Sequence, residues 1–431
     1  VIRLPGQSVY VGFGGTLLLV IGLAMQSAAM LLLLMRLARP VLGGLLGFLG
    51  RMAPSNLVSN LSRTSVAAAA LMVAVAVTIG MQLMVGSFRT TVAMWLEQTL
   101  GGDIFISAPS FISTNPTESI DPLVIQRVEY WPGLRRLDTL RTVSVESDRG
   151  PVVLNATHNP DLGTERMYLD RAIPEAEIWQ AMQEGSILVS EALVYRLGID
   201  PSQPSLRLLT DEGWRDFPII ATIYEYTSSE GSIWMADNVY RQYWQDTGIT
   251  ALSLRLTEGA DIEVETQNLR KELSEIQRLN IRSNSTLRSD VMEVFDRTFA
   301  ITRAMQLMVT AVAFIGVLNT ALLLQMEKHR ESGILRALGL TGRQLRQLVM
   351  LETGLMGLAA GLMAIPTGYA IARVLVDVIN QRSFGWTLQL FTPGRDFLQG
   401  VLLAVGASLL AGIYPAWQLS HRTAAETIRE E

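Results

Sequence analysis

The densest charge in the apolar half of this chain is Glu327-Lys328-His329-Arg330-Glu331, which closes one long apolar run shortly before another begins. A short amphipathic segment follows it. Ile334, Leu335 and Leu338 make an apolar face, and Arg336, Arg343 and Arg346 a basic one. Gly333, Gly339 and Gly342 bracket the segment, with Ala337 inside it, and glycine permits sharp turns at both ends. The chemistry open to this set is recognition, not catalysis. A short helix lying on a membrane surface slots into the groove of a soluble partner. Glu327, Arg330 and Glu331 are placed to pair with charges at the rim of such a groove. The plainer reading is an ordinary basic loop, but such a loop has no need of an apolar stripe framed by glycines.

Nothing else in the chain has the spacing of an enzyme. There is no GxxxxGK[ST] loop to cradle nucleotide phosphates. His158, His329 and His421 are far apart, and no HExxH or other metal-ligand spacing is present. A serine nucleophile needs a base within hydrogen-bond reach, and the central polar region offers only His158. Asp211-Glu212 and the Glu263/Glu265 pair read as solvated surface. The expectation is a non-catalytic chain with no catalytic residue, cofactor or bound metal.

The elements that position the charged elbow are membrane helices. Of 431 residues, 49% are hydrophobic and 17% charged, against roughly 25% charged in a soluble domain. A bilayer needs about 20 mainly apolar residues per helical span. Five blocks qualify: Val9–Met35, Ser65–Phe88, Ala304–Met326, Val349–Val376 and Phe397–Trp417. Between the second and third lies a polar stretch, 89–303, long enough for one or two folded domains. Residues 89–297 hold 19 Lys/Arg and 32 Asp/Glu, a net −13, whereas the remainder is net +8. An acidic soluble domain is thus mounted on a basic membrane base, with no nucleic-acid footprint. Loops 36–64 and 327–347 and the tail are rich in Lys/Arg, and loop 377–396 is poor in them. The Lys/Arg bias puts the elbow and the C-terminus in the cytoplasm and the polar domain outside. The chain opens Val1-Ile2-Arg3 with no signal-peptide pattern, so the expectation is the C-terminal part of a longer polypeptide. There is no cysteine.

Within this frame, Pro40–Gly50 reads as an apolar segment in the membrane interface. Residues 89–100, with Val92, Trp95 and Leu96 on one side, and 287–303, with Val291, Phe295 and Phe299 at four-residue spacing, read as two stalk helices above their spans; amphipathic linkers are the plain alternative. Residues 102–284 read as mixed α/β, with strands at 103–107, 142–147, 152–155, 206–209, 218–223 and 251–256 and helices at 191–197 and 262–276. The domain expectation is a linker span with an interfacial segment over 1–64, a span with its stalk over 65–100, an extracytoplasmic domain over 101–286, and a stalk with three membrane helices over 287–431. Glu352 sits at the start of a span, where a carboxylate is costly; pairing with the elbow arginines is the first expectation and a transport role the second. Asn319 and Gln82 are mid-span polar residues suited to linking helices. Gly357 and Gly361 form a small-xxx-small pair, and Pro366 should kink its helix.

At these residues the chain resembles the FtsX-like permeases of the MacB superfamily of ABC transporters. Glu327, Lys328, Arg330, Glu331, Gly333, Ile334, Leu335, Arg336, Ala337, Leu338, Gly339, Thr341, Gln344, Leu345, Glu352 and Gly357 match that family's elbow and following span. Ser332 stands where isoleucine is usual. The tail from Tyr414-Pro415-Ala416-Trp417 to Arg429 resembles the family's closing motif, with Ala425 for the usual proline. The resemblance covers about residues 52–431. It implies one span before a large external domain and three after it, so that Val9–Met35 is an extra span, as in permeases of two such units with a separate ATPase. It implies a coupling role for Glu327, Arg330, Glu331 and the segment Gly333–Gly339. The implied partners are a dimeric ABC ATPase that binds the ATP, a second permease unit in the preceding half, an external partner protein, and the lipid of a bacterial inner membrane. The expected function is extrusion or extraction of a lipid, lipoprotein, hydrophobic compound or peptide. The alternative is a non-transporting relay of force to an external enzyme such as a cell-wall hydrolase.

Overall fold

A computed structural model describes residues 9–109, 118–200, 204–327, 335 and 339–421. The chain divides into two compact units: residues 1–88, 297–379 and 389–431 in the first, and 89–296 with 380–388 in the second. The expected class, a helical membrane part plus a mixed α/β domain, is what the structure has.

The first unit is built from α1 (Val9–Met25), α2 (Ser27–Ser59), the leading part of α3 (Leu61–Thr99), the later part of α9 (Asn284–Glu327), α10 (Gly342–Val374) and α12 (Gly394–His421). Among the described residues, five helical stretches are long and apolar enough to cross a membrane: Ser27–Ser59, Leu61–Thr99, Asn284–Gly316, Gly342–Phe384 and Gly394–Trp417. Their apolar residues run all round the helix, the pattern of a span and not of an amphipathic surface helix. Ile301, Leu307 and Val312 of α9 are each at least 70% exposed, as side chains bound for hydrocarbon are.

Two expectations about the N-terminal region change. The block Val9–Met35 is divided at Gln26, yet the path stays helical, because Gln26 N–H reaches Leu23 O at 3.2 Å and Met30 N–H reaches Gln26 O at 3.1 Å. The run Pro40–Gly50 lies within the longer helix Ser27–Ser59. It breaks at Gly47, whose φ of 61° and ψ of −131° belong to a backbone region open to glycine. Residues 27–46 on one side of that break and 48–59 on the other are helical, and an added Cβ at Gly50 would collide with the carbonyl of Leu42. Two helical arms therefore close tightly on each other.

The core of this unit rests on small residues. A Cβ added at Gly357 would lie 2.7 Å from Ala404 O and 2.6 Å from Ser408 Oγ; one at Gly361 would lie 3.0 Å from Val401 Cα. The small-xxx-small pair on α10 therefore seats α12, the role such pairs have in membranes. A Cβ added at Gly368 would lie 2.8 Å from Ile79 Cβ and 2.9 Å from Ala76 O, and one at Gly80 2.7 Å from Ile371 Cγ2. Ile79 is fully buried, so α3, α10 and α12 converge on one side chain. Gln82 joins α3 to α12 by donating to Gln399 Oε1 at 2.8 Å, the helix link expected of it.

Among the described residues the second unit carries ten strands: β1 (Ile104–Ser107), β2 (Leu134–Ser147), β3 (Gly150–His158), β4 (Tyr168–Arg171), β5 (Ile187–Ser190), β6 (Ser205–Thr210), β7 (Gly213–Ile223), β8 (Ser232–Ala236), β9 (Ala251–Leu256) and β10 (Asn280–Ser283). Their order is β10-β1-β9-β2-β3-β8-β5-β7-β4, with β6 pairing β2 and β7. β3·β8 and β5·β7 are parallel and the other pairs antiparallel. Helices α4 (Pro122–Glu129), α5 (Glu175–Gln183), α6 (Glu191–Leu197), α7 (Asp237–Tyr243) and α8 (Ile262–Leu273) cover it. Two apolar clusters form the core. One gathers Leu154, Ile187, Phe217 and Ile233; the other gathers Ile104, Val124, Leu254 and Leu269.

The end of α3 and the start of α9 make an antiparallel pair inside this unit, as the stalk reading expects. Arg89 pairs with Asp296 at 2.9 Å. Arg288 Nη2 donates to Glu97 O at 3.3 Å. Asn284 Nδ2 donates to Leu100 O at 2.8 Å and Gly102 O at 2.7 Å. Val92, Trp95, Leu96 and Phe295 are buried between them and the domain.

Candidate functional site

Of the residues expected to form the coupling elbow, Arg330, Glu331, Gly333, Ile334, Arg336, Ala337 and Leu338 lie outside the described residues, as does the tail motif from 422 onward. The described part is the end of α9 at Glu327 and the exit of the elbow. Leu335 is helical and half-buried. Gly339 has a φ of 98°, and Leu340 N–H reaches back to Leu335 O at 3.1 Å. A left-handed glycine with a bond from the next residue to the carbonyl five back is the helix stop known as the Schellman motif. Of the bracketing glycines, Gly339 makes the sharp turn; Gly342 is already the first residue of α10. Between them Thr341 starts α10 with a capping box: Gln344 N–H reaches Thr341 Oγ1 at 3.3 Å, and Thr341 N–H reaches Gln344 Oε1 at 2.9 Å. The first turns of α10 then bury Leu345 and Leu348 and leave Arg343 and Arg346 exposed. The stop at Gly339 and the capped start at Thr341 lie only two residues apart.

Glu352 lies one turn past that entry. Its Oε1 accepts from Asn56 Nδ2 at 2.7 Å, so the partner at this oxygen is an amide on α2 and not an elbow arginine. The bond ties α10 to the segment that precedes α3. Asn319 of α9 is exposed.

A second constellation was not visible in the sequence. After α10 the chain makes a π-helical turn, Leu375–Asn380, and a one-turn helix α11 (Gln381–Phe384). Residues 380–388 then belong to the second unit. Glu191, the first residue of α6 and 5% exposed, accepts from Thr387 N at 2.9 Å and from Thr387 Oγ1 at 3.1 Å. Tyr226 OH donates to Thr387 O at 3.2 Å. Trp386 is buried, edge-on to Tyr226 at 5.8 Å and stacked on Phe384 at 5.3 Å. Tyr226 meets Trp95 of the stalk edge-on at 5.8 Å. Asn380 Nδ2 holds the loop from within by donating to Trp386 O at 2.9 Å. The loop between two membrane helices is thus stitched into the α/β domain beside the stalk. Its sequence signal was the apolar trio Phe384, Trp386 and Leu388 in a loop with polar residues between and before them.

Residues 304–424 match the family of FtsX-like permease C-terminal domains. The similarity to FtsX-like permeases thus rests on this part of the chain. The match takes in the elbow, the capped start of α10, the glycine-lined α10–α12 contact and the loop 380–388. The chain is 41% identical over 431 residues to an uncharacterized ABC transporter permease protein of Mycobacterium tuberculosis, covering 99% of this chain and 50% of that protein. It is 31% identical over 202 residues to the macrolide export ATP-binding/permease protein MacB of Escherichia coli K12, covering 44% of this chain and 28% of that protein. It therefore spans half the length or less of these curated relatives. Among solved structures, the periplasmic region of MacB from Actinobacillus actinomycetemcomitans aligns with 46% of this chain and 95% of its own, at 8% identity and a TM-score of 0.33. The extracellular domain of the transporter YknZ from Gram-positive bacteria aligns with 42% of this chain and 98% of its own, at 10% identity and a TM-score of 0.29.

The seating of the loop 380–388 on Glu191 predicts a pH dependence. Burial pushes the Glu191 carboxyl above the ordinary range, against the two hydrogen bonds from Thr387 that favour its charge. A carboxyl raised in the folded state binds more protons there than in the unfolded chain. Its contribution to stability is complete below the unfolded pKa and is lost as pH rises through the folded one. Glu191→Gln keeps the accepting oxygen and removes the titration. Unfolding of the two proteins followed against pH should converge below the carboxylate range and separate above it, with the glutamine variant the more stable. A separation of the opposite sign would mean that the hydrogen bonds, and not burial, govern Glu191.

Proposed function

We propose that this chain is a permease subunit of an ABC transporter in a bacterial inner membrane. It couples ATP hydrolysis by a separate ATPase to movement of an extracytoplasmic domain. The observation that carries this reading is the FtsX-like match over 304–424, centred on an elbow whose exit is built as a helix stop followed at once by a capped helix start. Glu327, Arg330, Glu331 and Gly333–Gly339 dock the ATPase dimer. Arg343 and Arg346 present positive charge beside that contact. Closure of the ATPases moves the elbows, and the Glu352–Asn56 bond makes α10 and α2 move together. α3 and α9 run without a break from the first unit into the second, and the loop 380–388 is a further connection. Movement of the helices is therefore passed to the α/β domain at three points. That domain, with a second permease unit beside it, drives extrusion or extraction of a lipid, lipoprotein, hydrophobic compound or peptide.

The test is a charge reversal with a burial fault, Glu331→Lys plus Leu338→Asp. Truncation of a central contact in an interface costs about 2 kcal/mol or more, which is more than tenfold in Kd. The doubly substituted chain should fail to co-purify with its cognate ATPase and should lose permease-dependent ATP hydrolysis. Unchanged co-purification and activity would leave the elbow an ordinary loop and remove the main support for the reading.

A further inference from the structure

The sheet of the second unit has a gap in it. β2 pairs along one edge with β3 over Thr139–Ser147. Along its other edge it pairs with β9 from Leu134 to Leu140, and with β6 only at Ser147↔Leu208. Between those two contacts the edge of β2 has no neighbouring strand among the described residues. Leu140 O accepts from Thr250 N at 2.8 Å, and Thr142 N donates to Thr250 Oγ1 at 3.0 Å. Alternate residues of a strand turn their N–H and C=O to the same side, so Ser144 and Glu146 turn theirs into the gap. On the facing side Asp148 N reaches Arg207 O at 3.1 Å; by the same alternation Leu209 also turns its backbone inward. The strands diverge there instead of pairing. A cavity of about 360 Å³ fills the divergence. Its floor includes Val145 and the buried rings of Tyr240 and Trp244, and its rim carries the exposed carboxylates of Glu146 and Asp211. Asp211 is held in place by Gln245 N at 2.7 Å. No Lys, Arg or His lines the cavity.

Unpaired strand backbone is a template for another strand. We propose that this notch takes an extended, basic polypeptide segment of an external partner protein. Its backbone pairs with Ser144 and Glu146, an apolar side chain rests on Tyr240 and Trp244, and Lys or Arg side chains meet Glu146 and Asp211. The sign of the charge follows from the rim and from the net −13 of residues 89–297, a field that draws cations and raises the rate of encounter.

The probe is a pool of capped decapeptides that alternate Lys or Arg with Val, Ile or Thr, added to the full chain in lipid nanodiscs. Amide hydrogen exchange is read at single residues. Exchange at Ser144, Glu146 and Leu209 should slow, and an equivalent pool with Glu in place of the basic residues should leave it unchanged. Glu146→Lys plus Asp211→Lys, both on the surface, should weaken binding about tenfold or more. Ser144→Pro, which deletes an N–H aimed into the gap and none paired with β3, should do the same. No protection from the basic pool, equal protection from the acidic pool, or complete displacement of the basic pool by arginine amide would each overturn the proposal. The last outcome would make the notch a site for small cations.

Discussion

The variant Gly357→Leu accumulates poorly in the membrane, and what is purified unfolds at a lower temperature than the unchanged chain. Gly357 faces Ala404 and Ser408 so closely that even a methyl group meets the Ala404 carbonyl at 2.7 Å. Backbone does not rotate away as a flexible side chain does, so the helices must separate. Overpacking a close contact costs about 1–3 kcal/mol, occasionally more, and the loss here extends along the contact because Gly361 and Gly412 seat on the same pair of helices. In a membrane little hydrophobic force restores a separated pair, since lipid is as apolar as the helix surface. Gly406 on α12 is the control, because an added Cβ there meets nothing within 4 Å. Gly406→Leu should leave the unfolding temperature close to that of the unchanged chain. If both leucine variants unfold alike, glycine acts through helix propensity and the close contact carries no special energy.

The two units differ in how much of them is legible in sequence, and the reason is physical. Membrane helices announce themselves, because a span has no choice but a long apolar run. An end was readable where a residue with one job sits there, as Gly339 does; the cap at Thr341 was not read from the sequence. The break at Gly47 was hidden inside an apolar run, since no change of polarity marks a turn that stays among apolar neighbours. In the α/β domain the strands at 104–107, 251–256 and 206–209 were readable from alternation. β5 was not: Ile187, Leu188, Val189 and Ser190 are all buried, and a strand covered on both faces shows no period of two. β2 begins at Leu134, earlier than its β-branched residues, because Arg135 and Arg136 occupy a strand held by tertiary ion pairs; Arg136 bonds Asp138, Asp161 and Asn159. Of the elbow, the turn at Gly339 was legible from its glycine. Glu191, Tyr226 and Thr387 were not, because nothing in their spacing indicates that a loop nearly 200 positions away comes to rest on α6.

That loop yields the second large effect. Trp386→Ala releases residues 380–388 from the α/β domain. The ring is buried against Tyr226 and Phe384, and its indole N–H meets no acceptor among the described residues. Its contribution is therefore apolar area and ring contact, without a hydrogen bond. Truncation of a buried Trp to Ala costs about 3–5 kcal/mol, and each edge-on ring pair adds about 0.5–1.5 kcal/mol beyond area. The polar stitches of Thr387 to Glu191 and Tyr226 are each worth about 1 kcal/mol net and do not hold the loop alone. Amide exchange across 380–388 and at the start of α6 should rise steeply in the alanine variant, while exchange in α4 and α8, in the other apolar cluster, stays unchanged. Trp386→Phe keeps most of the ring area and loses an N–H that bonds nothing, so it should stay close to the unchanged chain. Under the proposed coupling, the alanine variant should still bind the ATPase, because the elbow is untouched, and should hydrolyse ATP with less product moved per turnover. An alanine variant with unaltered exchange at 380–388 would mean that the stalk helices alone carry the connection.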